Sequence, residues 1–265
     1  MSERILLRYF GWSSFAIESE AGILLFDPLY RSLYGANWSC LEDYQHAQVI
    51  CVTHGHFDHY VDVPNILKQS DATVVTSKEV CKHLSSRYRI KNEQLVPINP
   101  FQEIFVAPFK ITAFEWRHRN VNFLRLLRAD PVTSLQFLWL NFVKAPFNTP
   151  FFGYYIEGPN NLRLMNYGEG FSNAMNLEEV RELGNHFQPD ILLVGIQLNF
   201  EDQVAQGVAA LAPKTVILFH PHTPLFNKVG LRSSPVHRFM ESIKQASSGV
   251  EILLTLPQSV FHIPT

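Results

Sequence analysis

The chain has 265 residues, 46% of them hydrophobic and 17% charged, and its 22 lysines and arginines against 24 acids leave a net charge of −2. That apolar share excludes disorder and fibrous repeats, and the length closes one large core, or two at most. The near-neutral balance excludes a surface that grips a nucleic acid backbone throughout, and no stretch reaches the ~20 apolar residues of a membrane span.

The opening MSERILLRYF alternates like a strand and lacks the charged-then-apolar pattern of a signal peptide, so a soluble, cytoplasmic protein is expected. Cys40, Cys51 and Cys81 are odd in number, widely spaced and free of any C-x-x-C, which points to neither a disulfide framework nor a thiolate zinc site. From Ile5 to Pro28, apolar runs broken at Gly11 and at Glu20-Ala21-Gly22 read as a β-meander. AQVICVTHGHFDH then sets the β-branched run Val49, Ile50, Val52 before a polar loop, and PNILKQ opens a helix with Pro64 in its first turn. ATVVTS, KEVCKHLSSRY and the run ending in ITAFEWRH repeat the alternation of strand and helix, closing at His118. After an irregular segment come the strands FFGYYIEG and LRLMNY, a helix near NLEEVRELGNHF, the strand DILLVGI, a helix near EDQVAQGVAALA and the strand of KTVILFHPHT. A helix around SPVHRFMESIKQ and the run EILLTLPQSVF complete the chain. The expected architecture is one α/β domain over residues 1–265, with the antiparallel start arguing against a purely parallel sheet.

His54, His56, Asp58 and His59 place four metal-ligand side chains within six residues, on a loop delivered by a buried strand. Imidazole nitrogen and carboxylate oxygen suit zinc, manganese or iron, and the strand–loop–helix context holds such groups to a fixed coordination sphere. The competing reading is a solvated turn that happens to hold histidines.

T-H-G-H-F-D-H after an apolar strand resembles the H-x-H-x-D-H signature of the metallo-β-lactamase superfamily. GWSSFAIESEAGILLFDP is similar to the opening of the branch that contains ascorbate-6-phosphate lactonase and the N-acylphosphatidylethanolamine phospholipase D-like hydrolases. The resemblance covers nearly the whole chain and implies a four-layer αββα sandwich with one or two divalent metals, zinc foremost, at one edge of its sheets. It implies that His54, His56 and His118 hold one metal and that Asp58, His59 and His220 hold a second. The bridging carboxylate of the family is usually an aspartate in a G-D element; Glu169, between Gly168 and Gly170, stands there instead, with a longer arm that bridges, binds one metal only, or is a plain turn residue. His222, two residues beyond His220, is expected to shuttle a proton or touch substrate. Asp58 is expected to orient or deprotonate the attacking water. Asp27, at a buried strand end, is expected to accept a hydrogen bond from a ligand histidine.

Between His118 and the strand at Gly153 the superfamily needs only a short connection, so residues from about 119 to 152 read as a helical insertion. From Arg117 to Phe152 there are five basic residues (Arg117, Arg119, Arg125, Arg128, Lys144) and one acid, Asp130. Leu135, Leu138, Trp139 and Phe142 follow helical spacing, but Phe137 and Leu140 put apolar surface on the other side as well. Two readings stand: a cover over the metal edge, lined by Phe137, Trp139 and Phe142, or a helical pair packed on the core or between subunits. The expected function is metal-dependent hydrolysis of an ester, lactone or phosphodiester, with a small anionic or amphiphilic substrate, no nucleic acid, and contact with a membrane surface or a second subunit left to the insertion. The alternative is a non-catalytic metal- or ligand-binding member of the superfamily with a decayed site.

Overall fold

The computed structural model describes residues 4–119, 123–146, 148–196, 199–230 and 235–263; residues 120–122 and Phe147 of the expected insertion, and the Arg125 side chain, lie outside these. The opening meander is β1 (Ile5–Gly11), β2 (Ser14–Ser19) and β3 (Gly22–Phe26), followed by β4 (Val49–Cys51), β5 (Thr73–Thr76) and β6 (Leu95–Pro97). A second series comprises β7 (Glu103–Val106), β8 (Phe109–Glu115), β9 (Phe152–Gly158), β10 (Leu162–Asn166), β11 (Ile191–Gly195), β12 (Thr215–Phe219) and β13 (Glu251–Leu254). The last strand, β14 (Val260–Ile263), returns to pair antiparallel with β1.

These strands build two seven-stranded sheets, ordered β14-β1-β2-β3-β4-β5-β6 and β13-β12-β11-β10-β9-β8-β7. The two halves of the chain repeat one plan. β1, β2 and β3 are antiparallel and hand on to parallel β4, β5 and β6; β8, β9 and β10 are antiparallel and hand on to parallel β11, β12 and β13. In each sheet five strands therefore run the same way, and their carboxyl ends form one edge, where an open α/β sheet gathers its ligands.

Alternation along the strands explains the layers. Leu24, Phe26, Val49, Cys51, Phe109, Ile111, Leu193 and Phe219 point between the sheets and pack into one continuous apolar layer. Their neighbours Leu25, Ile50 and Val74 point outward, under α1 (Phe57–Tyr60), α2 (Val63–Gln69) and α3 (Lys78–Tyr88). After α4 (Phe123–Ala129) and α5 (Pro131–Trp139) come α6 (Leu177–Phe187) and α7 (Glu201–Leu211). The chain adds α8 (Thr223–Lys228) and α9 (Val236–Ala246). Helices α6, α7 and α9 cover Met165, Leu192, Val194 and Leu218 on the outside of the second sheet. The result is the expected αββα sandwich. Cys51 and Cys81 are buried and Cys40 is exposed, all three as free thiols. Among the described residues no helix is long and apolar enough to cross a membrane.

The segment between β8 and β9 contains α4, α5 and a π-helical turn over Leu140–Lys144. Its apolar surface divides. Phe137 and Leu140 pack against the core beside α1, while Leu135, Trp139, Phe142 and Val143 are exposed.

Candidate metal centre

The histidine loop leaves β4 through Val52 and Thr53 and turns into α1, so that His54, Asp58 and His59 are all buried. Asp27 directly follows β3, the neighbour of β4, and receives the loop from behind. Its Oδ1 accepts the Thr53 backbone N–H at 2.8 Å and its Oδ2 the Thr53 hydroxyl at 2.7 Å. The same Oδ2 lies 2.7 Å from His59 Nδ1, as expected for a carboxylate that orients a ligand imidazole.

These contacts set the ring nitrogens. Thr53 has one hydroxyl proton and donates it to Asp27, so its oxygen accepts the Nδ1 proton of His54 at 3.0 Å. His118, three residues past the end of β8, donates Nδ1–H to the Arg119 carbonyl at 2.7 Å. With Nδ1 committed in His54, His59 and His118, each ring turns Nε2 inward.

All of them turn toward Glu169. Its Oε1 lies 3.3 Å from His59 Nε2, 3.4 Å from His222 Nε2 and 3.8 Å from His54 Nε2, and its Oε2 lies 3.3 Å from His118 Nε2. Asp58 Oδ2 closes the far side, 3.8 Å from His59 Nε2 and 4.0 Å from His222 Nε2. Donor atoms of His54, His56, His118 and Glu169 all fall within 4.8 Å of one another. Gly168 and Gly170 hold Glu169 in place at φ +65° and +104°, and a Cβ at Gly170 would sit 2.2 Å from the Gly195 carbonyl oxygen.

The donor set fits a divalent cation. Two ligands about 2.0–2.1 Å from a tetrahedral ion stand roughly 3.3–3.4 Å apart, the separations found here between imidazole nitrogens and the Glu169 oxygens. The Nε2 of His54, fully buried, has no hydrogen-bond partner among the described residues, a costly state that a cation removes. The electrostatics agree. Burial drives His54 well below the usual imidazole range and His56 down to about 4, keeping both neutral. Burial also opposes protonation of His59 and His118, but the carboxylates of Asp27 and Asp58 lift His59 well above its ordinary value and Glu169 lifts His118. Against its own burial, Glu169 is held well below the carboxylate range by His222 and His118. A carboxylate ringed by imidazoles thus collects protons when no cation is there to replace them.

The expected second ligand set needs one correction: His222, not His220, faces Asp58 and Glu169. Phe219 points into the layer between the sheets, so His220, next along the strand direction, alternates away; its carbonyl oxygen lies 3.5 Å from the Tyr9 hydroxyl. Pro221 turns the chain, and His222 caps α8 with its ring directed back over the sheet edge. Glu169 turns Oε1 to His54, His59 and His222 and Oε2 to His118.

Several residues near the site had no individual role assigned from the sequence, or a different one. Thr53 was readable only as the residue before His54. Phe151 lies with its ring centroid 4.9, 5.5 and 4.8 Å from those of His54, His56 and His118, an apolar floor that nothing in its local sequence marks. Arg119 is largely buried, stands over the Phe226 ring at 5.6 Å and has an Nε with no partner among the described residues. Tyr34 likewise has a buried hydroxyl without a partner among the described residues, and burial together with nearby Asp58 raises its pKa. Trp139, expected over the metals, lines a cavity of about 340 Å³ with Arg31, Phe57, Val61, Tyr88 and Lys144.

Comparison with known proteins places this geometry. The profile of the family described as Beta-lactamase superfamily domain matches residues 23–162, from β3 through the histidine loop to β10. A protein of Polaromonas sp. named UPF0173 metal-dependent hydrolase is 27% identical over 80% of this chain and 75% of its own length. One of the same name from Salinibacter ruber is 32% identical over 35% of this chain, and the match spans only 39% of that protein. Among solved structures, Igni18, a metallo hydrolase from Ignicoccus hospitalis, superposes with a TM-score of 0.71 over 99% of both chains at 17% identity, a likeness of fold. Since the family match takes in slightly more than half of the 265 residues, the chain belongs to the β-lactamase superfamily domain family.

Proposed function

We propose that the protein is a metal-dependent hydrolase whose site holds two divalent cations. The observation that carries this is the convergence of four imidazole Nε2 atoms on one buried carboxylate, Glu169, at 3.3–3.8 Å. His54, His56 and His118 would hold one cation, Asp58, His59 and His222 the other, with Glu169 between them. When bound, such cations supply Lewis acidity that makes water nucleophilic near neutral pH. Zinc suits these nitrogen and oxygen donors best, and manganese and iron are the alternatives.

The chain's own residues do the rest. Asp58 orients the attacking water and takes its proton, and Asp27 and Thr53 hold the imidazoles in the tautomers that leave Nε2 available. The Tyr34 hydroxyl, without a partner among the described residues, donates to the oxygen that gains charge as the bond breaks. The buried Arg119 Nε has no hydrogen-bond partner among the described residues, and Arg119, next to His118, finds one in an anionic group of the substrate. This favours small anionic esters, lactones or phosphodiesters. The free thiols suit a cytoplasmic protein.

Elemental analysis after reconstitution, run beside a panel of matched neutral and anionic esters, lactones and phosphodiesters, tests the reading. About two equivalents of metal and turnover of the anionic members are expected. Less than half an equivalent refutes the metal centre; full occupancy with no hydrolysis across the panel supports a metal-retaining, non-catalytic protein.

A further inference from the structure

The histidine loop is fastened at every second residue by one stretch of chain. The Thr53 carbonyl accepts the Phe152 N–H at 2.8 Å, the Gly55 N–H donates to Thr149 Oγ1 at 2.8 Å, and the Phe57 N–H donates to Asn141 Oδ1 at 2.9 Å. Between these anchored positions stand His54, His56 and Asp58, whose side chains face the site. The backbone of the odd-numbered residues is held, and the side chains of the even-numbered ones are presented.

The Asn141 contact answers a specific need. Phe57 opens α1, the short helix that carries Asp58 and His59, and the cap residue His56 makes no side-chain cap hydrogen bond. A helix's first amides lack partners within it, and a side-chain oxygen from the cap residue ordinarily accepts one of them. Here the acceptor comes from 84 residues away. Asn141 is 1% exposed, and its Nδ2 donates to the Phe137 carbonyl at 3.0 Å, which fixes the amide so that Oδ1 faces Phe57. It lies in the π-helical turn, an irregularity that often serves a local side-chain placement. Thr149 meets Gly55 as closely: a Cβ at Gly55 would stand 2.9 Å from Thr149 Cγ2 and 2.3 Å from the Pro146 carbonyl oxygen.

We propose that Asn141 and Thr149 are positioning residues that set the geometry of the cation-holding loop, which makes the segment between β8 and β9 part of the metal centre's support. Thr149, acting on the amide between His54 and His56, governs the group completed by His118. Asn141, acting on the first amide of α1, governs the group of Asp58, His59 and His222. The proposal rests on the metal reading above.

Co²⁺ titration of the full chain, followed by its visible d–d absorption and by competition with a chelator, tests it. Outer contacts of this kind change metal affinity by about 10–100-fold. Thr149→Val and Asn141→Leu should each lower Co²⁺ affinity by at least about tenfold and alter the d–d spectrum, and they should do so for different steps of the titration. Thr149→Ser, which keeps the hydroxyl, should restore most of the loss at that position. The proposal is overturned if Thr149→Val binds Co²⁺ with wild-type affinity and spectrum, or if Thr149→Ser loses as much as Thr149→Val. Should Asn141→Leu fail to fold, the Thr149 pair decides, since Thr149→Val exchanges only the hydroxyl and Thr149→Ser retains it. A wild-type protein that takes up no Co²⁺ refutes the metal reading itself and is distinguished by that.

Discussion

His59 is held between two carboxylates: its Nδ1 lies 2.7 Å from Asp27 Oδ2 and its Nε2 3.3 Å from Glu169 Oε1. The carboxylates occupy corresponding places in the two halves of the fold, Asp27 following β3 and Glu169 following β10, the third strand of each meander. One stands behind the imidazole and orients it; the other stands in front and shares its target. Asp27→Ala should therefore act twice. It leaves buried donors from Thr53 and His59 without an acceptor, a loss of about 3 kcal/mol in unfolding free energy. Asp27→Asn, which can still accept from His59, should keep more stability while lowering metal affinity roughly 10–100-fold. Chemical denaturation and chelator competition separate the two effects, and equal metal affinity in wild type and Asp27→Asn would falsify the orienting role.

The site should bind metal more tightly as pH rises. In the metal-free protein the facing carboxylates shift His59 and His118 upward against their burial, so both keep their protons to higher pH than a free imidazole does. A cation must expel those protons. Affinity is thus lost as pH falls through the raised values of His59 and His118, and below them log Ka should climb by about one to two per pH unit. Calorimetry in buffers of different ionisation enthalpy should find at least one proton released per site filled. A buffer-independent enthalpy at pH 6 counts against this account.

His222 and His220 make a sharp pair of variants. His222→Ala removes an imidazole 3.4 Å from Glu169 and should cost close to one equivalent of bound metal. His220→Ala, at a position that faces away from the carboxylates, should keep full stoichiometry. Elemental analysis of both after identical reconstitution decides which histidine serves.

That pair also marks where sequence ceased to be informative. The histidine loop, the αββα layers and the Glu169 position were readable, because β-branched runs, helix caps and ligand spacing are local properties, encoded within a few residues. The choice between His220 and His222 depends on how Pro221 turns the chain after β12, and spacing alone does not encode that direction. Asn141, Thr149 and Phe151 act on residues some 84 to 97 positions away, as the Phe57–Asn141, Gly55–Thr149 and His54–Phe151 contacts show. No window along the chain contains both partners. The repeat of the strand plan was hidden for a related reason: the two halves share topology and hydrogen-bond direction, not residues.

Glu169→Gln should weaken both cation positions, since Oε1 faces His59 and His222 while Oε2 faces His118. The amide presents one oxygen acceptor, and its nitrogen cannot ligate. The position that receives the nitrogen should lose the most, by at least tenfold on the scale of such contacts. Anomalous scattering at the metal edge reads the two occupancies separately, and unchanged occupancy at both would return Glu169 to a turn residue.

The exposed apolar face of the segment between β8 and β9 gives the last test. Trp139 is half exposed, Leu135, Phe142 and Val143 are exposed beside it, and the Lys144 ammonium lies 5.0 Å from the Trp139 ring. Trp139 also lines the cavity of about 340 Å³ that reaches Phe57 and so adjoins the histidine loop. An acyl chain laid along this surface would gain at most about 0.8 kcal/mol per methylene, a factor of up to about four in kcat/KM for each carbon added. On a series of anionic esters of rising acyl length, the wild type should gain kcat/KM with length, and Trp139→Ala should lose most of that gain while retaining its rate on the shortest member. If the two proteins respond in parallel, the face serves no substrate chain. Sedimentation of the wild type as a dimer, with Trp139→Ala monomeric, would assign the face to a subunit contact instead.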